Sequence, residues 1–416
     1  MLIDFSVENF RSIKDLQTLS MSAANISSRF QNIDEDNVFA VSQKISILKS
    51  KAIYGANASG KSNLIKALDT FISIVNNSVK DDKSLDRIWP FALSTETENR
   101  PSFFQMSFIM DNVLFRYGFE ANRNEIISEW LFGSPGKKEV FFFTREKNDI
   151  KVNEKQFKEG SKITSLYSQE ENDIARKDSL FLTSVKSFNS GLAKEIVDYI
   201  GNIIVVTGLS DFKMHKNAEE ILSDESEKQK IVDFLKIADI GITDINRLEY
   251  QNSHDIDKRK NFLTVTEHRK FDSDLKDIGH ASLYMLTDES EGSKKMFEIS
   301  PLLSKALNEK RILVMDEFDA RFHPLLTKKI VELFNSDANK GSQLIFVTHD
   351  TNLLNAKLLR RDQICFVEKD KYGASHVYSL VDFKGVRNDA SFEKDYVAGR
   401  YGAIPFLGDF SSIIEN

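Results

Sequence analysis

Apolar and polar residues alternate over residues 2–10, a pattern typical of a half-buried strand. Residues 44–54 are rich in strand-forming residues and lead directly into a glycine-rich segment. After Lys61 the apolar residues return every three or four positions, the spacing of one helix face: Leu64, Ile65, Leu68, Phe71, Ile72 and Val75. The pattern therefore predicts a glycine-rich turn between a strand and a helix.

The remainder of the chain contains segments with the alternating pattern of strands and segments with the three-to-four-residue spacing of helices. Helical spacing predicts helices in residues 189–240, 300–307 and 324–335. Strands are predicted in residues 101–145, with a turn at Asp111-Asn112, and in residues 311–319, 343–350, 363–370 and 376–383. Residues 145–178 are polar and predict loops and edge strands. Strands that alternate with helices predict an α/β fold with a mostly parallel sheet covered by helices.

The distribution of these segments predicts three regions. Residues 1–140 and 281–385 would form one composite head with an antiparallel β subdomain. Residues 141–280 would form a mixed, partly helical insertion, a sensor or a platform for a partner. Residues 386–416 would be an extension packed on the head.

Composition narrows the function classes. The chain has 416 residues, of which 41% are hydrophobic and 29% charged, and a net charge of −7, which argues against coating of nucleic acid by bulk positive charge. The basic clusters at 257–260 and 268–270 are better explained as solvated faces. The single Cys365 fits a buried apolar position. Without a signal peptide or a long apolar segment, we expect a cytoplasmic protein without a membrane partner.

The glycine-rich segment fits the pattern G-x-x-x-x-G-K-S from Gly55 to Ser62. Its glycines would let the backbone wrap phosphates, with the N–H groups at the helix start directed at the anion. Lys61 would contact the β- and γ-phosphates, and the Ser62 hydroxyl would bind magnesium. The pattern therefore predicts a site for ATP and Mg²⁺.

Two later segments supply the rest of an ATPase site. Asp316 and Glu317 follow the apolar segment 312–315, where Asp316 would hold magnesium and Glu317 would orient or deprotonate the attacking water. His349 follows the second apolar strand and would sense or stabilise the γ-phosphate.

A further anion site is predicted in the segment DESEGSKKM, where Ser290 and Gly292 precede a helix. Because the chain already has one phosphate loop, this second site suggests a second chain, in which each protomer caps the γ-phosphate of its partner. A polar turn with a capping serine is the alternative.

The order N-F-R-S, G-x-N-x-x-G-K-S-N, S-x-G, D-E and T-H-D resembles ABC-type ATPases of the SMC, RecF and OLD group. Asn57 and Asn63 are typical of that group. Both ends of the chain resemble, more closely still, bacterial AAA-family ATPases of abortive-infection (AbiL-like) and anti-phage (PARIS- and Rlo-like) systems. The resemblance implies an ABC-type head in which Arg11 lies near the phosphates and Asp319 lies in the loop that communicates across a dimer. Ser59 and Gly60 would bind the nucleotide as part of the glycine-rich segment itself.

Only 33 residues follow Phe383, too few for the TOPRIM nuclease domain of OLD proteins. We therefore expect a regulatory ATPase, a homodimer or higher oligomer, that holds or releases an effector encoded nearby, such as a TOPRIM-, nuclease- or nucleotidyltransferase-like protein. The alternative is a RecF- or SMC-like repair or recombination ATPase that clamps DNA. A transporter ATPase fits less well, because the insertion is long and SEGSK departs from the LSGGQ-like signature.

Overall fold

The computed structural model describes residues 1–28, 30–42, 45–136, 138–164, 176–188, 191–208, 212–238, 241–250, 261–386 and 391–405. The strands are β1 Leu2–Glu8, β2 Gln17–Ser20, β3 Val38–Ala40, β4 Ser46–Leu48, β5 Ser50–Tyr54, β6 Ser102–Met110, β7 Val113–Ala121, β8 Ile126–Ser134, β9 Val140–Glu146, β10 Asp149–Val152, β11 Ile204–Val206, β12 Ile242–Tyr250, β13 Asn261–Phe271, β14 Asp277–Tyr284, β15 Ile312–Met315, β16 Gln343–Val347, β17 Ile364–Lys369 and β18 Ser375–Ser379.

The helices lie between these strands. They are α1 Gln31–Asp36, α2 Lys61–Asn77, α3 Lys158–Ser161, α4 Phe181–Ser187, α5 Gly191–Gly201, α6 Phe212–Ile221, α7 Glu225–Ile237, α8 Glu291–Asn308, α9 Pro324–Asn335 and α10 Phe392–Val397. Short 3-10 helices occupy Ser84–Arg87, Thr351–Leu353, Arg361–Gln363 and Leu380–Asp382. None of the helices that the structure describes has the length and apolar character needed to cross a bilayer.

Seven strands form an antiparallel sheet in the order β10-β9-β8-β7-β6-β1-β2. The hairpin between β6 and β7 turns at Asp111 and Asn112, as the sequence predicts, and both residues have positive φ angles, 49° and 62°. Two consecutive positive φ angles are those of a type I′ turn, whose twist matches that of the flanking strands.

Six strands form the second large sheet, in the order β11-β15-β16-β5-β17-β18. All neighbouring pairs are parallel except β17 and β18, which form an antiparallel hairpin. Because successive side chains of a strand face opposite ways, each parallel strand contributes to two cores. Ile53, Val314 and Ile345 pack on one face, whereas Ala52, Leu313 and Leu344 pack on the other.

Helix α2 joins the two large sheets. Phe71 of α2 lies in ring contact with Phe5 and Phe119 of the antiparallel sheet, with centroids 5.8 and 5.6 Å apart. The same core includes Ile53 of the parallel sheet, so that α2 is buried between the two sheets. The opposite face of the parallel sheet is covered by α8, α9 and α10. The predicted α/β fold, a helix-covered, mostly parallel sheet with an antiparallel β subdomain and a mixed insertion, is confirmed.

A smaller lobe consists of the antiparallel sheet β12-β13-β14 with α6 and α7. It packs on α8 through α6 and α7. The basic residues Arg269 and Lys270 are exposed on β13. The cluster at 257–260 lies outside the described residues, as do 387–390 and 406–416 of the predicted extension.

Strand pairing places the limits of this lobe differently from the sequence prediction. The predicted boundary at residue 140 separates β8 from β9, which are hydrogen-bonded neighbours. Residues 204–206, predicted as part of a helical insertion, form β11 and pair with β15 in the parallel sheet. A three-residue strand between helices has too short a pattern to be distinguished by periodicity.

The side chain of Gln343 connects the two large sheets. Its Oε1 accepts the N–H of Leu2 at 2.6 Å, and its Nε2 donates to the carbonyls of Leu2 and Leu48 at 3.0 and 3.3 Å. Gln343 is fully buried at the start of β16. A side chain of the parallel sheet therefore satisfies main-chain groups at the start of β1 in the antiparallel sheet and at the end of β4.

We expect Gln343→Leu to lower the free energy of unfolding by about 2–3 kcal/mol, because it leaves a buried N–H and two buried carbonyls without this partner. Chemical denaturation would measure the change, with the exposed Gln31→Leu as the control. Equal free energies of unfolding in the two variants would show that the hydrogen bonds of the Gln343 side chain do not contribute to stability.

Candidate functional site

The carboxyl ends of four parallel strands meet at one edge of the sheet, and hydrogen bonds continue past the strand ends. The N–H of Asp316 donates to the carbonyl of Val206, and that of Phe318 to Val347, both at 2.9 Å. The N–H of Thr348 donates to the carbonyl of Ile53 at 3.1 Å. The loops after these strands are thus fixed relative to one another at the edge where α/β proteins bind ligands.

The phosphate-loop segment 55–60 connects β5 to α2. Gly60 is the N-cap of α2 with φ 111°, and a Cβ at this position would lie 2.1 Å from the Ser375 hydroxyl and 2.8 Å from the Ser12 hydroxyl. A Cβ at Gly55 would lie 2.3 Å from the carbonyl of Val367. Both positions therefore require glycine, Gly60 for its conformation and both for their close contacts.

Lys61 extends back along this loop. Its ammonium donates to the carbonyls of Gly55 and Ala56 at 2.8 and 2.9 Å. Burial lowers its pKa, whereas the carboxylates of Asp316 and Asp319 oppose that shift. The lysine charge therefore lies within the loop and in the field of the two acids.

The Ser59 hydroxyl is buried and has no hydrogen-bond partner among the described residues. Buried hydroxyls normally have a partner. Asn57 and Ala58, by contrast, are exposed at the top of the loop. An oxygen-rich ligand held by this loop would satisfy the serine.

The acidic pair follows β15. Asp316 is buried, and its Oδ1 accepts the N–H of Glu317 at 3.1 Å. Glu317 has φ 51°, a conformation that costs energy for a residue with a Cβ and is frequent at functional sites. The structure thus places the two adjacent acids at the strand end where the sequence predicted them.

The Mg²⁺ site implied for such a loop can be tested against the residues present. The described residues contain no group of three or more His, Cys, Asp or Glu side chains that could hold a metal. Mg²⁺ usually needs only one or two protein ligands together with substrate phosphates and water. The Ser62 hydroxyl and the Asp316 carboxylate fit that requirement.

His349 and Asp319 contact each other beside this pair. The main-chain N–H of His349 donates to both carboxylate oxygens of Asp319, at 3.2 and 3.3 Å. Burial and the nearby Lys61 lower the pKa of His349, and the acids oppose that shift. Because the ordinary value is already 6.5, the ring is neutral at pH 7.

Two serines and an asparagine form a hydrogen-bonded cluster at the start of α2. The Ser12 hydroxyl accepts from the Asn63 amide at 2.8 Å and lies 2.8 Å from the Ser375 hydroxyl, which donates to the carbonyl of Ser59 at 2.7 Å. Sequence reasoning missed the role of Ser375. Ser12 had a signal, since it is the serine of N-F-R-S, but Ser375 is an ordinary hairpin residue whose contacts depend on the fold.

Arg11 lies beside α2. Its N–H donates to the carbonyl of Trp89 at 2.7 Å, and its exposed side chain lines a pocket with Lys66 and Asp69. The predicted proximity of Arg11 to phosphate therefore stays a prediction.

Ser290 and Gly292 lie at the start of α8. Ser290 is the N-cap, whose hydroxyl accepts the N–H of Ser293 at 3.1 Å, and the helix begins at Glu291. The sequence analysis placed Gly292 before the helix. In the structure Gly292 lies in the first turn of the helix. The first turn contacts the segment after the acidic pair, because Glu291 forms an ion pair with Arg321 at 2.6 Å.

The C-terminal segment reaches the phosphate loop. Residues 403–405 line a cavity of about 360 Å³ together with Asn57 and Ala58. Tyr401 packs on Phe366 and Phe383, with ring centroids 5.8 and 5.5 Å away. The described part of the sequence GRYGAIPFL therefore packs on the head next to the candidate site.

A phosphate loop after a central parallel strand, an acidic pair at the end of a nearby strand, a histidine after the strand between them and an antiparallel β subdomain define a P-loop nucleotide-binding head of ABC type. The chain belongs to the family described as "AAA domain, putative AbiEii toxin, Type IV TA system", which matches residues 52–355. No curated protein matches the chain.

Among solved structures the chain is similar to heads of SMC proteins. One is the SMC head domain from Thermotoga maritima, with 13% identity over 91% of this chain and 98% of that chain and a TM-score of 0.42. Another is an SMC head bound to the C-terminal winged-helix domain of ScpA, with 15% identity, 91% and 97% coverage and a TM-score of 0.47. A third, from Pyrococcus furiosus with the C-terminal domain of ScpA, has 14% identity, 96% and 98% coverage and a TM-score of 0.43.

We expect Gly60→Ala to weaken ATP binding by about tenfold or more, because the left-handed conformation and the contact with Ser375 both penalise a Cβ. Isothermal titration calorimetry with ATP would measure the loss. Gly385→Ala is the matched control, since Gly385 has φ 83° but no atom of the described residues lies within 4 Å of its Cβ position. Undiminished affinity in Gly60→Ala would contradict the assignment of the loop.

Proposed function

We propose that this protein is a regulatory ATPase of an anti-phage system of the abortive-infection or toxin–antitoxin kind. ATP would join two heads, and hydrolysis would separate them and release an effector protein. The observation that carries the proposal is the clustering of charged groups at the carboxyl edge of the parallel sheet. Lys61 interacts electrostatically with Asp316 and Asp319. His349 interacts with Lys61, with Glu317 and with both of these acids, and its main-chain N–H donates to Asp319. Membership of a family described by an AAA domain and a toxin–antitoxin system supports the biological setting.

The residues present can divide the chemistry of hydrolysis among them. Glu317 would take a proton from a water that attacks the γ-phosphorus, and the bond to the β–γ bridging oxygen would break to give ADP and phosphate. Lys61 would stabilise charge on the phosphate oxygens, and the neutral ring of His349 would donate a hydrogen bond to them. Held by Ser62 and Asp316, Mg²⁺ would neutralise charge on the β- and γ-phosphates.

The start of α8 supports a dimer in which each chain completes its partner's site. Ser290 is exposed, and the N–H groups of a helix start favour an anion. In its own chain this helix start contacts the segment after the acidic pair through Glu291 and Arg321. The exposed Ser290, at the helix start, would therefore lie against the γ-phosphate bound by a second copy, with Gly292 in the first turn behind it.

The small lobe supports a role in partner binding. Its sheet and the turn between β13 and β14 expose large apolar side chains: Leu248, Phe271, Leu275, Ile278 and Tyr284. The lobe also contacts the residue before Ser290, since Glu289 accepts from the Thr266 hydroxyl at 2.6 Å and lies 2.6 Å from the ring nitrogen of His268. An effector bound to the lobe could therefore shift the Ser290 segment through β13.

We expect Glu317→Gln to bind ATP without hydrolysing it and to accumulate as a dimer, because ATP then stays in the shared site. Light scattering after size-exclusion chromatography, with ATP and magnesium, would measure the mass. Lys61→Ala is the control and should stay monomeric. A monomeric Glu317→Gln at saturating ATP would contradict the shared site.

A mixture of two inactive variants would test whether the sites are shared. Lys61→Ala keeps a sound Ser290 segment, whereas Ser290→Glu keeps a sound phosphate loop but repels the partner's phosphate. Neither variant should form a homodimer, so a one-to-one mixture should form mixed dimers and recover up to about half of the wild-type ATPase rate, because each mixed dimer has one intact site of two. No recovery would mean that each site acts within one chain.

The same preparations separate this function from the DNA-clamping alternative. A DNA clamp should bind duplex DNA in the presence of ATP, with an affinity that falls steeply as salt increases. We expect no such binding by Glu317→Gln at about physiological salt, given the chain's charge of −7. Salt-sensitive, ATP-dependent binding would favour the clamp.

A further inference from the structure

Lys295 of α8 is a buried lysine whose ammonium lies inside the turn after β15. It donates to the main-chain carbonyls of Ala320 at 2.6 Å, Glu317 at 3.0 Å and Phe318 at 3.3 Å. The side chain is 4% exposed, and the ammonium lies 4.9 Å from the centre of the Phe322 ring. One ammonium group thus donates hydrogen bonds to three carbonyls within four consecutive residues.

This arrangement has an energetic cost. Lysine is seldom buried without a carboxylate partner, because its charge is better solvated by water. Burial lowers the pKa of Lys295 to about 8, although the carboxylates of Asp319 and Glu317 oppose that shift. An apolar side chain would fill the space without that cost, but it could not hold the three carbonyls.

The turn that Lys295 holds carries two residues of the candidate site. Glu317 opens the turn in a left-handed conformation, and Asp319 accepts the N–H of His349. Three carbonyls that point toward one another would repel without a cation between them. The ammonium therefore stabilises the backbone conformation on which the direction of the Glu317 side chain depends.

Ser290 is the N-cap of the same helix, directly before its first residue. Ser290 and Lys295 are separated by little more than one helical turn, and a helix is stiff over that length. A shift of the helix start would therefore move the ammonium relative to the carbonyls of Glu317 and Phe318. The outer ion pair between Glu291 and Arg321 is largely exposed and adds a weaker link between the same two segments.

We propose that Lys295 is a positioning residue that holds Glu317 in the orientation required for hydrolysis and couples that orientation to the contact made by Ser290 of the same chain. The inference rests on the proposed ATPase function and adds a path between the two sites of a dimer. Contact of Ser290 with the partner's γ-phosphate would fix the position of α8. The position of α8 would in turn fix the orientation of Glu317 through Lys295.

The test compares Lys295→Met, Lys295→Arg and Lys305→Met in the full-length protein. Lys295→Met removes the cation at similar volume, and we expect kcat for ATP to fall about 100-fold, as misplacement of a catalytic group does. ATP affinity, measured by calorimetry, should stay within about twofold, since Lys295 does not touch the phosphate loop. Lys295→Arg keeps the charge and should recover much of the loss, and the exposed Lys305→Met on the same helix should behave as wild type.

The pH profile gives a second readout that a merely structural role would not move. The charged groups that face Lys295 are Asp319, Glu317, Arg321 and Glu298. Because the ammonium loses its proton as pH rises through about 8, wild-type kcat should decline there. Lys295→Arg should stay level to about pH 9.5, since arginine keeps its proton.

The outcomes separate this inference from the proposed function. A wild-type protein that binds ATP without hydrolysing it would overturn both. Wild-type hydrolysis with an unchanged kcat in Lys295→Met would overturn only the role of Lys295. A Lys295→Met protein that loses kcat, ATP affinity and thermal stability together, with no recovery in Lys295→Arg, would make the lysine structural and would also overturn the inference.

Discussion

The hydrogen bonds that continue past the ends of the parallel strands are the interaction on which the candidate site depends. The N–H of Phe318 reaches the carbonyl of Val347, and that of Thr348 reaches Ile53, so three loops that are remote in sequence share one framework. Parallel strands allow this because all their carboxyl ends lie at the same edge. Main-chain hydrogen bonds therefore join site residues that come from different segments. The geometry of the site follows from the sheet register rather than from any one motif.

The sequence could predict the parts of the site whose chemistry is local. The segment from Gly55 to Ser62 needs its residues at fixed spacing because a single turn wraps the phosphates, and Asp316 follows an apolar strand for a similar reason. It could not predict Ser375, which supports Gly60 and Ser59 across more than 300 residues of chain. Nor could it predict that Lys295 is buried against carbonyls, since lysine in a polar segment such as SEGSKK normally predicts a solvated helix face.

The fold class was predictable for a related reason, whereas the limits of the lobe were not. Alternating helices and strands around a phosphate loop leave few arrangements other than a parallel, helix-covered sheet. The domain limit depends instead on which strands pair: β9 pairs with β8, and the edge strand β10, in the polar segment 145–178, pairs with β9. Edge strands can be polar because one side faces solvent. Composition thus marked the edge of the antiparallel sheet and not the start of a separate lobe.

The path from the small lobe to the acidic pair is short and consists of polar contacts at each step. Thr266 and His268 of β13 contact Glu289, Ser290 caps α8, and Lys295 of α8 binds the turn that begins at Glu317. The contacts at Glu289 and at Lys295 are hydrogen bonds, and the chain joins them through the first turns of α8, so a displacement of the lobe sheet must be accommodated at α8 or at the turn. The apolar faces of α8 are packed in the core beside the parallel sheet, which resists tilting of the helix. Because the Lys295 ammonium belongs to α8, any displacement of the helix acts directly on the three carbonyls that Lys295 holds.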